Sequence, residues 1–158
     1  MQDFNLNDAL NRAEQILRLG TIAEIDNDKR LVRVKSAELL SNWIPYPASI
    51  GNNFIAWTPM RKGTQVMLGC PSGDFAQAVI LQVLYTDELN SPSTDEAVDM
   101  IQFTDGTVIK KDAETLTIDT PCAVKINTAK TLDLQSGAEM NLTAGGNMKL
   151  SAPKIDLN

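Results

Sequence analysis

The sequence contains no histidine, and this absence removes the side chain that proteins use most often as a general base and as a metal ligand. Cysteine is almost as scarce, because Cys70 and Cys122 are the only two. Cys70 ends an apolar run typical of a strand, so we expect a buried thiol there rather than a disulfide. Glycine-rich phosphate loops and nucleophile elbows are also missing. We therefore expect no enzyme activity, no catalytic residues, no metal site and no cofactor.

Long apolar runs and excess positive charge are lacking as well. The N-terminus has neither the basic nor the apolar region of a signal peptide, and no apolar run reaches the length of a membrane span. Twenty acidic residues outnumber 14 basic ones, and the formal net charge is −6. Residues 87–99 hold five of the acidic residues and no Lys or Arg, while the remainder is nearly balanced. This pattern predicts a protein made in a cytoplasm, without the basic footprint of a nucleic-acid partner.

What the sequence does contain is a repeat of eight residues that runs from residue 113 to the C-terminus. Each block holds two apolar residues at positions i and i+2, which bracket one polar residue, and the last pair is one residue out of step. The alternation predicts short strands with one buried face, and the fixed period predicts a stack of such strands. The apolar pairs that form the predicted core are Leu116, Ile118, Val124, Ile126, Leu132, Leu134, Met140, Leu142, Met148, Leu150, Ile155 and Leu157.

One chain cannot bury this stack by itself. A single meander of narrow strands would leave its edges unpaired and half of its apolar face in water. Three copies wound together would remove the edges and enclose one solid core, so we expect a homotrimer with an intertwined triple-stranded β-helix. A monomeric solenoid or an ordinary sandwich is the alternative, although single-chain β-helices commonly repeat every six or nine residues.

The first half of the chain predicts a helix followed by a small barrel. Residues 4–18 place Leu6, Leu10, Ala13 and Leu17 on one face, and Gly20 would end the helix. Strand patterns follow at 21–26, 30–36, 43–46, 54–57, 64–70 and 77–85, with a turn signal at Asn27-Asp28. This spacing suits a closed Greek-key barrel such as an OB-fold, and an SH3-like barrel remains the alternative.

These patterns divide the chain into four segments. We expect an N-terminal helix at 1–18, an OB-fold barrel at 19–86, an acidic linker at 87–98 and a trimeric β-helix stem at 99–158. The stem should begin with a hairpin around Asp105-Gly106, the strongest short turn signal in the sequence. The predicted fold class is therefore all-β, with one short helix.

The order of these parts resembles baseplate assembly protein V, the central spike of contractile phage tails. The resemblance covers essentially the whole chain and rests on LRLGTIAEID, WTPMRKGTQVML, GDFAQAVIL and FTDGTVIKKD in this order and spacing. It implies a homotrimer with an OB-fold collar and a β-helix needle, located in the virion tail baseplate after synthesis and assembly in the host cytoplasm. The implied partners are the baseplate hub and tail tube proteins, with transient contact with the bacterial envelope when the sheath contracts.

Two family features are missing. Spikes of this family often end in a His-x-His apex that holds iron, but residues 148–158 contain no histidine, so no metal ligands can be transferred. We therefore expect either that a separate protein caps the apex or that the stem has lost its tip. Some relatives carry a lysozyme domain between barrel and stem, where this chain has only the short linker.

A binding module is the competing hypothesis. Trp43 and Trp57 could stack on bases or sugars, as aromatic residues of OB-folds do. Arg61 and Lys62 are the nearby basic residues, so a role in the core or in an interface is the favoured interpretation. Under the alternative, the barrel would bind single-stranded nucleic acid or a glycan, and the stem would be a trimeric stalk.

Overall fold

The computed structural model describes residues 15–156, and this part of the chain is all-β. Two short 3-10 helices, Pro71–Gly73 and Phe75–Gln77, are its only helical elements. The strands are β1 Leu17–Asp26, β2 Leu31–Ser36, β3 Leu39–Leu40, β4 Ile44–Pro45, β5 Ser49–Ile50, β6 Ile55–Ala56, β7 Gln65–Gly69, β8 Val79–Leu84, β9 Asp99–Gln102, β10 Val108–Lys111 and β11 Leu116–Asp119.

A six-stranded antiparallel sheet forms the first half, in the order β3-β2-β1-β7-β8 with β4 added to β2. The long strand β1 pairs with β7 through its first half and with β2 through its second half, and a bulge at Ala23 separates Ile22 from Glu24 in the register with β2. Such an irregularity bends a strand, which lets one strand serve two neighbours around a curved sheet. β4 lies against β8 and brings the two ends of the sheet together. Five of the six strands expected from the sequence belong to this sheet. The expected strand at 54–57 is β6, which pairs with β5 in a separate two-stranded sheet, and the short strand β3 was not expected.

The core lies on the concave side of this sheet and follows the period-2 pattern of its strands. It consists of Ile22, Val32, Val34, Ile44, Val66, Leu68, Cys70 and Ala78. The expectation of a buried thiol at Cys70 is confirmed, and burial raises the pKa of that thiol. Among the described residues, no helix has the length and apolar character that crossing a bilayer needs.

The expected N-terminal helix lies for the most part in residues 1–14, outside the described part of the chain. Its predicted C-terminal end is wrong, because Leu17 and Arg18 belong to β1, where they pair with Gly69 and Leu68. Gly20 does not end a helix but lies inside β1. A Cβ atom at Gly20 would lie 2.5 Å from Val34 Cγ1 and 2.9 Å from the Lys35 carbonyl oxygen. Glycine is therefore required here by the close approach of β1 and β2.

Two buried serines supply hydrogen bonds that the sheet ladder does not provide. Ser41 Oγ accepts a hydrogen bond from the Val34 amide at 2.9 Å and donates one to the Asn42 carbonyl at 2.7 Å. Ser36 Oγ donates to the Leu19 carbonyl at 2.7 Å. These bonds let polar side chains occupy the core without the cost of an unpaired donor or acceptor.

The next sheet, a meander of β9, β10 and β11, begins the expected stem. The predicted hairpin is confirmed: Gly106 has φ +91°, and the Phe103 amide donates to the Thr107 carbonyl at 2.8 Å. Between β10 and β11, Asp112 accepts hydrogen bonds from the Glu114 and Thr115 amides at 3.1 and 2.8 Å. The Thr115 amide is the main cause of a strongly lowered pKa at Asp112.

Candidate assembly interface

Residues 120–156 form an extended chain that bends at a regular interval. The bends fall at 121–122, 129–130, 137–138, 145–146 and 153, so each begins eight residues after the one before. The interval matches the sequence repeat, and the apolar pairs lie in the straight pieces between bends. The repeat is therefore a geometric unit of one straight piece and one corner.

Side-chain hydroxyl groups stabilise the first three corners through hydrogen bonds to the backbone. Thr120 Oγ1 accepts from the Cys122 amide at 3.1 Å, Thr128 Oγ1 from the Lys130 amide at 3.1 Å, and Ser136 Oγ from the Ala138 amide at 3.3 Å. The three hydroxyl residues are eight positions apart, and each bonds to the amide two residues ahead. Such local bonds favour a turn over a continuing strand. The next two corners have Ala144 and Ala152 at the equivalent positions.

The apolar residues expected to form the stem core are uncovered in the single chain. Of the twelve, the eleven described ones range in exposure from 48% at Met140 to 70% at Ile126, while Leu157 lies outside the described residues. The structure places them on successive straight pieces and does not bring them into a common core within one chain. A soluble monomer rarely exposes an apolar row of this length, and such a surface marks an interface.

The backbone of this segment is unpaired as well. In the described part of the chain, residues 120–156 make no backbone-to-backbone hydrogen bond and join no ladder. Extended backbone of this kind offers its amides and carbonyls to neighbouring strands. The strands expected here therefore have no partner strand within residues 15–156.

Apolar side chains of the meander β9–β11 precede those of the extended segment along the chain. Ile101, Ile109 and Ile118 lie side by side in the register of β9, β10 and β11. The first corner contacts the β9–β10 turn, because the Thr107 and Thr120 hydroxyls are 2.8 Å apart and Cys122 Sγ lies 3.5 Å from Asp105 Oδ2. The Thr107 amide lowers the pKa of Asp105 and holds its carboxylate in the turn. The meander is thus the fixed base of the extended segment.

The two tryptophans are engaged within the barrel half. Trp57 stacks on Tyr46 with ring centroids 5.4 Å apart and planes 3° from parallel. The Arg33 guanidinium lies 5.9 Å from the centre of the Trp43 ring, and Arg33 also forms an ion pair with Glu24 at 3.4 Å. Both rings keep about half of their surface exposed.

Few charged side chains lie near the cleft beside Tyr46 and Trp57. Lys29 and Arg30 border the cleft beside Tyr46 and Trp57. Lys29 forms an ion pair with Asp26 at 3.5 Å, and the Lys29 amide lowers the pKa of that carboxyl. This cleft therefore lacks the run of free cations that a nucleic-acid backbone requires. Within residues 15–156, no group of three or more His, Cys, Asp or Glu side chains could hold a metal ion.

Comparison with known proteins adds to this geometry. Residues 18–85 match the family model of the type VI secretion system and phage-baseplate injector OB domain. Apart from its first residue, Leu17, the six-stranded sheet lies within the matched residues. The match settles the barrel type in favour of the OB-fold over the SH3-like alternative, and it begins at Arg18, inside β1.

Along nearly its whole length, the chain is similar to the spike protein of Escherichia phage P2. The two are 22% identical over 154 residues, which is 98% of this chain and 70% of the relative. The resemblance to a baseplate spike family, expected from the sequence, is confirmed by both comparisons. The similarity to the P2 spike extends across the injector OB domain into the repeat segment.

Sequence reasoning did not find the corner residues. Thr120, Thr128 and Ser136 recur every eight residues, so the signal was present in the repeat. A hydroxyl at every eighth position is weak evidence by itself, because only the bend beside it shows that the hydroxyl stabilises a corner.

Proposed function

We propose that this chain is the structural central spike of a contractile phage tail, or of a phage-tail-like particle, and acts as a trimer. The main support for this proposal comes from the repeat segment. Its apolar pairs are exposed, and its backbone makes no backbone-to-backbone hydrogen bond within the described residues of one chain. Three copies would wind these segments into a triple-stranded β-helix, and each straight piece would supply one strand of the wall. The injector OB domain and the similarity to the P2 spike protein support a place in the baseplate.

The proposed organisation follows the order of the parts. Residues 19–86 form the collar that contacts the baseplate hub and the tail tube, 87–98 connect, and 99–158 form the needle. The needle pierces the host envelope when the sheath contracts, and the particle is assembled in the host cytoplasm. A rod built from three wound chains suits this task, because no single chain can peel away without breaking many bonds between chains.

We propose a mechanical rather than a catalytic role. The residues described here include neither a metal cluster nor a histidine, and the tryptophans are stacked or paired with residues of their own barrel. Binding of single-stranded nucleic acid is disfavoured because the aromatic cleft is bordered by two cations, of which Lys29 is paired with Asp26, and not by a run of positive charge.

Light scattering during size-exclusion chromatography tests the proposal directly. We expect the mass of a trimer for the natural chain. Leu142→Asp would place three charges at one level of the core, and burial of unpaired charge is costly, so this variant should dissociate or aggregate. Asn141→Asp adds the same charge in the same repeat on the opposite face and should remain a trimer. A monomeric natural chain, or equal behaviour of the two variants, would overturn the proposal.

A binding assay separates the spike from a binding module. We expect no retention of single-stranded DNA on a filter at physiological salt. Micromolar binding that disappears in Trp57→Ala would instead favour the module.

A further inference from the structure

The acidic linker between the barrel and the meander contains no strand and no helix, yet every second backbone amide from Ser91 to Ala97 is hydrogen-bonded to a side chain of the linker itself. The Ser91 amide donates to Asn90 Oδ1 at 2.7 Å, and the Ser93 amide donates to Ser91 Oγ at 3.4 Å. The Asp95 amide donates to Ser93 Oγ at 3.1 Å, and the Ala97 amide donates to Asp95 Oδ1 at 3.0 Å. The linker therefore stabilises its own conformation through a continuous series of local hydrogen bonds.

Hydrogen-bonded turns close both ends of the linker. At its start, the Thr86 amide donates to the Leu89 carbonyl at 3.2 Å, and the Leu89 amide donates to Thr86 Oγ1 at 3.0 Å. At its end, the Val98 amide donates to the Asp95 carbonyl at 3.2 Å, immediately before β9 begins. The linker is thus joined to each sheet by a turn and not by a free length of chain.

The linker keeps its hydroxyl and apolar side chains inward and its charges outward. Leu89, Ser91, Ser93 and Val98 are half-buried, whereas the four acidic residues of the linker are exposed. Within residues 15–156, none of these four carboxylates forms an ion pair. Their mutual repulsion favours an extended linker, which adds to the effect of the local hydrogen bonds.

The linker also lies close to both of the sheets that it joins. Leu89 borders a cleft together with Arg61 and residues 82–85 of the barrel half. Residues 90–92 border a second cleft together with Arg61 on the barrel side and residues 102–104 on the meander side. Barrel, linker and meander therefore meet around Arg61.

We propose that the linker is a rigid coupling, which fixes the direction of the stem relative to the barrel. A linker of the flexible kind is rich in glycine, and the parts that it joins reorient independently. This linker has no glycine, and Pro92 restricts the backbone between the two bonded serines. The rigidity is a property of one chain, but its use rests on the proposed spike, in which a force applied to the barrel would pass into the stem without bending at the joint.

The distance between two spin labels on the full-length chain tests the rigidity. In Cys122→Ser chains, Asp28→Cys places one label on the exposed β1–β2 turn, and Glu114→Cys places the other on the exposed β10–β11 turn. The remaining thiol, Cys70, is buried. Labelled chains are assembled with an excess of chains without these labels, so that each assembly carries one pair. We expect one narrow distance distribution, and replacement of residues 90–97 by alternating Gly and Ser should broaden it severalfold.

Point variants identify the bonds that are responsible. Ser91→Ala with Ser93→Ala removes both hydroxyl acceptors, while Thr94→Ala, on an exposed residue beside them, is the matched control. A glutamate-specific protease, which cuts after Glu88 and Glu96, measures how often the linker opens. We expect the double variant to be cut about tenfold faster than the natural chain, because two hydrogen bonds are lost, and the control to be cut at the natural rate. All three chains should be cut equally when unfolded in urea, which excludes an effect on the protease itself.

The outcomes separate this inference from the proposed spike. A trimer whose natural linker gives a broad distance distribution would overturn the rigid coupling and leave the spike intact. Cleavage of the natural chain as fast as that of the double variant would do the same. A narrow distribution in the Gly-Ser chain would show that contacts between barrel and meander fix the direction without the linker, and the inference would be wrong. A monomer with a narrow distribution would overturn the spike and leave the linker rigid.

Discussion

Thr107 and Thr120 are thirteen residues apart in the sequence, yet their hydroxyl groups are hydrogen-bonded at 2.8 Å. The same Thr120 oxygen accepts the Cys122 amide that turns the chain at the first corner. One residue thus joins the fixed meander to the first repeat. The orientation in which the extended segment leaves the meander depends on this small contact.

Loss of a corner hydroxyl should weaken the stem. Thr128→Val keeps the size of the side chain but removes the acceptor for the Lys130 amide. We expect a loss of about 1 kcal/mol for each copy, the usual net contribution of one hydrogen bond. Thermal unfolding of the full chain measures this effect. Thr143→Val, which removes a hydroxyl from a straight piece, should change the midpoint much less, and equal changes would contradict the corner role.

Loss of the buried Ser41 hydroxyl should lower the stability of the barrel, although the group is small. Ser41→Ala leaves the Val34 amide without its side-chain acceptor inside the core. An unsatisfied buried donor costs about 1–3 kcal/mol, so chemical denaturation should show a loss of that order. Ser49→Ala, on the exposed strand β5, is the control and should be close to neutral. A neutral Ser41→Ala would show that water or the Asn42 region replaces the bond.

Because β1 and β2 approach closely at Gly20, we expect a single added methyl group there to lower the free energy of unfolding. Gly20→Ala would drive a Cβ into Val34 Cγ1 and the Lys35 carbonyl oxygen. Overpacking of this kind costs about 1–3 kcal/mol. In a Val34→Ala background, Gly20→Ala should cost less than in the natural chain but still cost something, because the Lys35 carbonyl belongs to the backbone and cannot yield. If Gly20→Ala cost nothing in that background, the strain would lie in the Val34 side chain alone.

Asp112 should stabilise the β10–β11 turn down to strongly acid pH. Its folded-state pKa lies well below the ordinary value, chiefly because the Thr115 amide donates to the carboxylate. The contribution is therefore fully present above the unfolded-state pKa of about 4 and disappears only as the pH falls through the depressed folded value. Asp112→Asn should lower the unfolding midpoint at pH 7 and show a smaller loss of stability on acidification than the natural chain. Parallel pH profiles of the two chains would contradict this origin.

Alternation and turn signals were sufficient to predict the sheet. The pattern around Val32, Val34, Val66 and Leu68 identified the core strands, and Asp105-Gly106 identified the hairpin, because both depend on local chemistry. The predicted helix end was wrong because a glycine such as Gly20 can either end a helix or allow two strands to approach closely, and the sequence alone does not distinguish these roles. Only the distance between β1 and β2 shows that it marks a close approach rather than a helix end.

The proposed interface was predictable from the sequence for a different reason. Apolar pairs at a strict eight-residue period are visible without coordinates, and the structure leaves these pairs exposed, from Leu116 to Ile155. The exposure of the β5–β6 hairpin was not expected, because Phe54, Ile55 and Trp57 resemble ordinary core residues of a strand. Their exposure follows from the separate pairing of β5 with β6, which a sequence pattern does not reveal.

The corners also determine how the needle can change in length during evolution. Removal or duplication of eight residues takes away or adds one whole straight piece with its bend, and every other side chain keeps its face. Insertion of a single residue would instead exchange the inner and outer faces of everything that follows. The repeat segment can therefore vary in length by whole repeats through simple duplication or deletion in the gene, without redesign of the barrel.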